Sequence, residues 1–295
     1  MNPYIIFNGQ MLSLRKSCVS PTDRGFLLGD GIFETMRSYQ GQFPFLNLHL
    51  KRIQHGMSLL GFSLSRVPFD QMEHQARKLI HRNRLQDAYI RLTISRGGAL
   101  PELLPEWGAG EPNWLLMTKP LSPTIGHHQT NGIKAVISDI RKNSFSPTAR
   151  LKTINYIDMI LAKREASLRG AHEAVLLDEK GHVAEAATSN LFWIKKEILY
   201  TPSLDLPILP GITRHTVLKI VREQGILCNE GIYDPEALMD SNEAFITNSI
   251  CELTPLVEIN GRMIGHGRPG KMTQLLQQSY KRHIMSMLSE TSGES

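Results

Sequence analysis

The stretch "SPTARLKTINYIDMILAKREA", Ser146–Ala166, decides how this chain is read. Its periodicity predicts a helix. At 3.6 residues per turn, Ile154, Ile157 and Leu161 fall on one side as a core stripe. Lys152, Asn155, Tyr156 and Met159 fall opposite, at i, i+3, i+4 and i+7. Such a second face is ordinarily solvated. Tyr156 and Met159 argue against that here, because a wet face rarely carries a large aromatic and a thioether together. An amine among such neighbours is partly desolvated, which favours its neutral form, the nucleophile that condenses with aldehydes.

Working outward, four other strings supply partners for that amine. In "VAEAATSNLFWI", Glu185 sits among small and apolar residues. Alone it is a strand-end carboxylate in water; beside a cationic ring nitrogen it would form a charge-assisted hydrogen bond. "ILPGITRHTVLKI" puts Pro210-Gly211 before a helix whose first turn holds Ile212 and Thr213. Proline and glycine are ordinary punctuation there, yet a helix N-terminus also offers free N–H groups and a positive dipole end to a phosphate. "TNSI", Thr247–Ile250, is a small polar turn able to add donors from Ser249 and Ile250. "NLHLKR" places His49 and Arg52 on one helical face, where the arginine is either a surface charge or a bidentate phosphate clamp. Together these groups ask for one ligand with an aldehyde, a ring nitrogen and a phosphate. Pyridoxal phosphate has all three.

Bulk properties allow this. The chain has 295 residues, 41% hydrophobic and 21% charged, with a formal net charge of +5. That is the make-up of an ordinary globular enzyme. The basic residues are scattered, without the dense run or aromatic-interleaved stripe of a nucleic-acid surface. Three widely spaced cysteines, Cys18, Cys228 and Cys251, fit neither a disulfide framework nor a metal site, so no metal and a reducing compartment are expected. The start "MNPYIIFNGQML" lacks signal-peptide regions, and no apolar run approaches a membrane span, so the expected setting is the cytoplasm, away from the membrane.

The element pattern predicts hairpins about Asn8-Gly9 and Gln40-Gly41, helices in "NLHLKRIQHGMSLL" and "FDQMEHQARKLIHRNRL", and strands in "AYIRLTIS" and "NWLLMTKPL". Beyond "IKAVISDI" and the lysine helix comes an antiparallel-looking run, "EAVLLDEKGHVAEAATSNLFWIKKEILYTP". A helix after Gly211, strands around "EAFITNSICELTPLVEING" and a last helix "GKMTQLLQQSYKRHI" complete it. Strand pairs outnumber strict strand–helix alternation, which argues for an α+β fold with two domains. Residues 1–120 form a small N-terminal α/β domain, 121–133 a linker, 134–288 a larger strand-rich domain and 289–295 a disordered tail.

Several ordered motifs carry a resemblance over nearly the whole chain: "DRGFLLGDGIFETMR", "LHLKR", "YIRLTISRG", "LKTINYIDMILAKREA", "AEAATSNLFW", "ILPGITR" and "GRPGKMTQLLQQSY". The sequence resembles the fold-type IV, or class IV, pyridoxal-phosphate family of branched-chain and D-amino acid aminotransferases and 4-amino-4-deoxychorismate lyases. The resemblance implies that Lys152 forms the internal Schiff base and shuttles the substrate proton, while Glu185 keeps the pyridine nitrogen protonated. It implies Tyr156 near the cofactor's phenolic oxygen and Leu209 packed on the ring. Arg52, the Ile212 and Thr213 amides, and Ser249 with Ile250 would bind the phosphate. Phe33, Tyr89 and Arg91 would meet the substrate, and Phe26 and Leu28 would limit its size. Amino acid and keto acid substrates and a homodimer are implied as well.

Within the family the motifs divide. "KTINY" has the lysine-to-Asn-Tyr spacing of the D-amino acid and lyase groups, whereas "YIR" resembles the branched-chain pattern. "SRGGALPELLPEW" lacks the Arg-x-His pair of D-amino acid aminotransferases. "ISRGG" and "NLFW" followed by "YTP" resemble the lyases, which often lack the "LPGIT" form. Transamination is the first reading and lyase chemistry, releasing pyruvate and p-aminobenzoate, the alternative. A non-catalytic binding protein of the same fold is a third, opposed by the intact lysine, glutamate and phosphate set.

Overall fold

The computed structural model describes residues 3–16, 19–98 and 111–292 and divides into two compact units. Cys18, the "ALPELLPEW" run and the last three residues of the expected tail lie outside the described residues. The first unit comprises residues 1–121 together with 151–155, and the second residues 122–150 together with 156–295.

In the first unit, strands β1 (Tyr4–Phe7) and β2 (Gln10–Ser13) form a hairpin. Its turn residues, Asn8 (φ 47°) and Gly9 (φ 83°), both adopt the left-handed backbone that such a turn needs. After α1 (Arg24–Leu28) come β3 (Gly31–Arg37), α2 (Leu46–Leu59), α3 (Met72–Arg82), β4 (Ala88–Ser95) and β5 (Asn113–Pro120). The strands make one antiparallel sheet in the order β2-β1-β5-β4-β3. Along β4, Ala88, Ile90, Leu92 and Ile94 are buried in a core shared with Ile53 and Met57 of α2 and Ala76 and Leu79 of α3. Tyr89, Arg91 and Thr93 alternate with them and take the other face. The hairpin expected about Gln40-Gly41 is reduced to a single bridge between Tyr39 and Gln42. Pro44 follows at once, and a proline is a poor ladder member; β3 pairs instead with β4.

The lysine stretch departs most from its sequence reading. Lys152 is not helical. The Phe33 N–H donates to the Lys152 carbonyl (2.9 Å), the Ile154 N–H donates to the Gly31 carbonyl (3.0 Å), and Ile32 bridges Thr153 antiparallel. Residues 151–155 therefore lie as an extended segment along the edge of β3. The β-branched Thr153 and Ile154 suit that conformation, and the edge groups of β3 gain partners.

The second unit begins with α4 (Thr124–Asn131), which occupies most of the expected linker at 121–133. It continues through β6 (Ile133–Lys142), α5 (Ile157–Leu168), β7 (Glu173–Asp178), β8 (Val183–Ala186), β9 (Asn190–Lys195) and β10 (Ile198–Pro202). Then follow α6 (Ile212–Glu223), β11 (Cys228–Gly231), α7 (Pro235–Met239), β12 (Glu243–Asn248), β13 (Glu252–Ile259), β14 (Arg262–Met263) and α8 (Lys271–Ser292). The last helix thus runs through 289–292, the first part of the expected tail. The strands form a nine-stranded sheet in the order β11-β10-β9-β12-β13-β6-β7-β8, with β14 on β13. Within the run read as antiparallel, β7–β8 and β9–β10 do pair antiparallel, while β10–β11, β13–β6 and β6–β7 are parallel, so the whole sheet is mixed. No helix among the described residues is long and apolar enough to cross a membrane.

Helix α5 also turns a different face inward than its pattern predicts. Ala162 and Ala166 are fully buried against Val136, Ala174 and Leu176, with Met159 alongside, whereas Ile157 (64% exposed) and Leu161 (44%) face outward. Two alanines allow the helix to lie close on the sheet, a fit that larger aliphatics would prevent. Ala162→Leu should accordingly destabilise the protein by about 1–3 kcal/mol through overpacking. Leu168→Ala, on an exposed side chain, should stay within about 0.5 kcal/mol; urea unfolding of both variants checks the orientation.

Candidate active site

Strand β3 organises the first unit's share of the predicted residues. Phe33 is buried, and two cations stand over its ring: Lys152 Nζ at 4.4 Å from the centroid and Arg91 Cζ at 3.6 Å. Such cation–π contacts orient a charge without consuming its hydrogen-bonding capacity. The Arg91 Nε–H donates to Thr93 Oγ1 (3.1 Å). Tyr89 lies on the same strand face, its ring 4.5 Å from Lys119 Nζ. Lys152, Phe33, Arg91 and Tyr89 thus share one side of the sheet. Phe26 and Leu28, on α1, are exposed.

The neighbouring residue on β3, Glu34, points the other way. Its buried carboxylate accepts from Arg52 twice, Nε to Oε1 (2.6 Å) and Nη2 to Oε2 (2.8 Å), and from His49 Nδ1 (2.7 Å). Arg52 is therefore no loose surface arginine: a bidentate pair fixes its guanidinium plane. Burial alone would push the Glu34 carboxyl up, but the charges and hydrogen bonds of Arg52 and His49 hold it far below the usual range. Burial pushes His49 down, opposed by Glu34 and reinforced by the charges of Arg52 and Lys152.

In the second unit, Glu185 lies on β8 and is 6% exposed, so the solvated reading of this residue is wrong. Lys142 Nζ donates to its Oε1, while the Leu209 N–H (3.0 Å) and Asn190 Nδ2 (3.3 Å) donate to its Oε2. A carboxylate offers about four acceptor sites, so this one, oriented by three donors, can take one more. Nearby in the chain, α6 opens at Gly211, which makes no side-chain cap bond. A Cβ on Gly211 would fall 1.9 Å from Asn190 Oδ1, so only glycine fits against the residue that braces Glu185. Thr213 Oγ1 and Thr247 Oγ1 are buried with no hydrogen-bond partner among the described residues. Buried hydroxyls left this way are costly unless a ligand satisfies them. A helix N-terminus with an orphaned hydroxyl in its first turn is chemistry suited to a phosphate. The Ile250 amide is already engaged, donating to Asn248 Oδ1 (2.9 Å), and Ser249 lies in the same turn. Tyr156 is the N-cap of α5.

Sequence reasoning missed Lys142, Glu34 and Thr247. Thr247 could have been found in the "TNSI" turn. Lys142 looks like any other strand lysine in the sequence, and Glu34 is only an acidic residue inside an apolar run.

Taken within its own unit, each group suits pyridoxal phosphate: in the first an anchored lysine, in the second a buried carboxylate with an acceptor site to spare and a helix N-terminus with an unsatisfied hydroxyl. A family model for "Amino-transferase class IV" matches residues 31–259. The chain belongs to the class IV aminotransferases. A Methanocaldococcus jannaschii protein provisionally named a branched-chain-amino-acid aminotransferase is 34% identical over 94% of this chain and 95% of its own. The aminodeoxychorismate lyase of Bacillus subtilis is 33% identical, covering 98% of this chain and 97% of its own. Among solved structures, the branched-chain amino acid aminotransferase of Escherichia coli superposes with a TM-score of 0.88 at 29% identity, covering 95% and 94%. This class IV aminotransferase is a pyridoxal-phosphate-dependent enzyme acting on small amino and keto acids.

The Glu34 pair has a pH signature. Its carboxyl is depressed in the folded protein, so the stability it contributes is present above its ordinary value of 4.5 and drains away as pH falls below that. Glu34→Gln leaves Arg52 without its counter-charge and should cost about 3–5 kcal/mol at neutral pH. The variant should also lose part of the wild-type decline in stability between pH 4.5 and 3; thermal melts across that range measure both effects.

Proposed function

We propose that this class IV aminotransferase moves an amino group between an amino acid and a 2-keto acid, with Lys152 as the amine that carries the cofactor. The reading is supported above all by the anchored backbone of Lys152, whose side chain reaches the face of β3 that also bears Phe33, Arg91 and Tyr89. Pyridoxal phosphate supplies an aldehyde for the amine and a ring that accepts the electron pair left when the substrate loses its α-proton. Lys152 would carry that proton between the substrate's α-carbon and the cofactor's C4′. Glu185 holds the ring nitrogen in its protonated state. The Tyr156 side chain would sit near the phenolic oxygen, and Leu209 would pack on the ring. The Ile212 and Thr213 amides, the Thr213 and Ser249 hydroxyls and Arg52 bind the phosphate, while Asn248 and Ile250 hold the turn. Arg91 and Tyr89 receive the substrate carboxylate beside Phe33. A homodimer in the cytoplasm is part of the same reading, supported by family membership and by the spacing of the cysteines.

A second reading has its own support in the full-length match to the Bacillus subtilis lyase. There the same proton removal by Lys152 would be followed by cleavage of the ring C–O bond to the enolpyruvyl group, which leaves and becomes pyruvate, while the ring becomes aromatic and keeps its nitrogen as p-aminobenzoate.

Borohydride reduction of yellow holoenzyme should fix the cofactor on a peptide containing Lys152, and Lys152→Ala should abolish turnover. Unlabelled Lys152 in a yellow protein would defeat the assignment. A panel of amino donors with 2-oxoglutarate or pyruvate should show transfer; p-aminobenzoate formed from aminodeoxychorismate with no keto acid present would favour the second reading. Arg91→Ala should raise the KM of the carboxylate substrate roughly 10-fold or more, the size of one lost charge-assisted pair, with cofactor affinity unchanged. Equal loss of both would show that Arg91 serves the cofactor.

A further inference from the structure

Lys142, the last residue of β6, is only 9% exposed. A lysine this deep is uncommon, and its charge is tolerable only when paired. Its Nζ donates to Glu185 Oε1 and to the Ala149 carbonyl (3.1 Å), three residues ahead of Lys152 in the chain. The other oxygen of Glu185 is held by neutral donors alone, the Leu209 amide and Asn190, and Asn190 itself is tied to the Leu209 carbonyl (2.9 Å). Among the described residues, the basic side chain that donates to Glu185 is Lys142.

We infer that Lys142 is a positioning residue for the cofactor ring, acting through Glu185; the inference rests on the function proposed above. A carboxylate closed off from water remains an anion only when a counter-charge compensates it. Only as an anion, aimed by its fixed oxygen, does Glu185 attract a protonated ring nitrogen. Lys142 occupies one oxygen, and the remaining lone pair stays directed at a ring donor. The bond to Ala149 fastens the same ammonium to the loop that runs toward Lys152. One side chain thus steadies both the carboxylate and the chain at Ala149.

The test compares two cofactors bound to the purified full-length protein after resolution to the apo form. One is pyridoxal phosphate; the other is its deaza analogue, which carries C–H in place of the ring nitrogen. Dissociation constants come from fluorescence quenching, with melting curves as a check on folding. Lys142→Met should weaken pyridoxal phosphate binding roughly 10- to 100-fold, the range for residues that orient a ligating group, and should leave the analogue's affinity within about twofold. Lys142→Arg, which keeps the charge, should recover most of the loss. Equal weakening for both ligands would show a merely structural lysine and overturn the inference, as would no weakening at all. Should Lys142→Met fail to fold, Lys142→Gln, uncharged but still a donor, gives the same comparison with the same outcomes. Wild-type protein that binds both ligands equally would overturn the roles of Lys142 and Glu185 while borohydride labelling of Lys152 still stood. Wild-type protein that binds neither would overturn the proposed function itself.

Discussion

Residues 151–155 join the edge of β3 through backbone hydrogen bonds at Phe33 and Ile154 and a bridge at Ile32 and Thr153. A lysine side chain is long and rotationally free, and it becomes a reliable nucleophile only when its backbone is immobile and its contacts are few and directional. The ladder holds the Lys152 backbone, and the Phe33 ring is one contact of its side chain. Because strand side chains alternate, β3 then separates two tasks on consecutive residues. Phe33 meets Lys152 and Arg91 on one face, and Glu34 meets Arg52 and His49 on the other. One strand thereby sets the positions of Lys152, Arg91 and Arg52.

Each unit also contains a buried carboxylate held by basic side chains. Glu34 has Arg52 and His49; Glu185 has Lys142. Buried ion pairs contribute modestly to stability when compared with apolar replacements, but they fix geometry, since breaking one leaves a stranded charge. In both places the consequence is orientation. Arg52 is presented in one plane, and Glu185 is presented with one acceptor position in reserve. The orphaned hydroxyls of Thr213 and Thr247 are the complementary feature, because they are groups whose partners a ligand would bring.

The chemistry shared by the aminotransferases and the lyases starts from the same proton and the same electron sink. What separates them comes after that step, in how the substrate's far end is held. This accounts for the divided motifs of the chain, with "YIR" resembling one branch and "NLFW" followed by "YTP" the other. Of the residues proposed for the common step, Lys152 has an anchored backbone and Glu185 is buried. Phe26 and Leu28, named as limits on substrate size, are exposed side chains on a five-residue helix.

The sequence by itself determined whatever is encoded by neighbours a few residues apart. The Asn8-Gly9 turn, the alternation along β4 and the start of α6 after Gly211 all depend on local backbone preference and short-range periodicity. The family and its cofactor were also legible, because ordered motifs along the whole chain carry them. Tertiary structure alone decided the state of Lys152, since its hydrogen-bond partners on β3 lie far back in the chain and outweigh the helical pattern that surrounds it. It likewise decided that α5 buries Ala162 and Ala166 and leaves Ile157 and Leu161 outside, because close approach to a sheet favours small side chains over hydrophobic ones. The pairing of Lys142 with Glu185 was invisible for the same reason. Two charged residues 43 positions apart leave no local signature of the buried space that makes each one need the other.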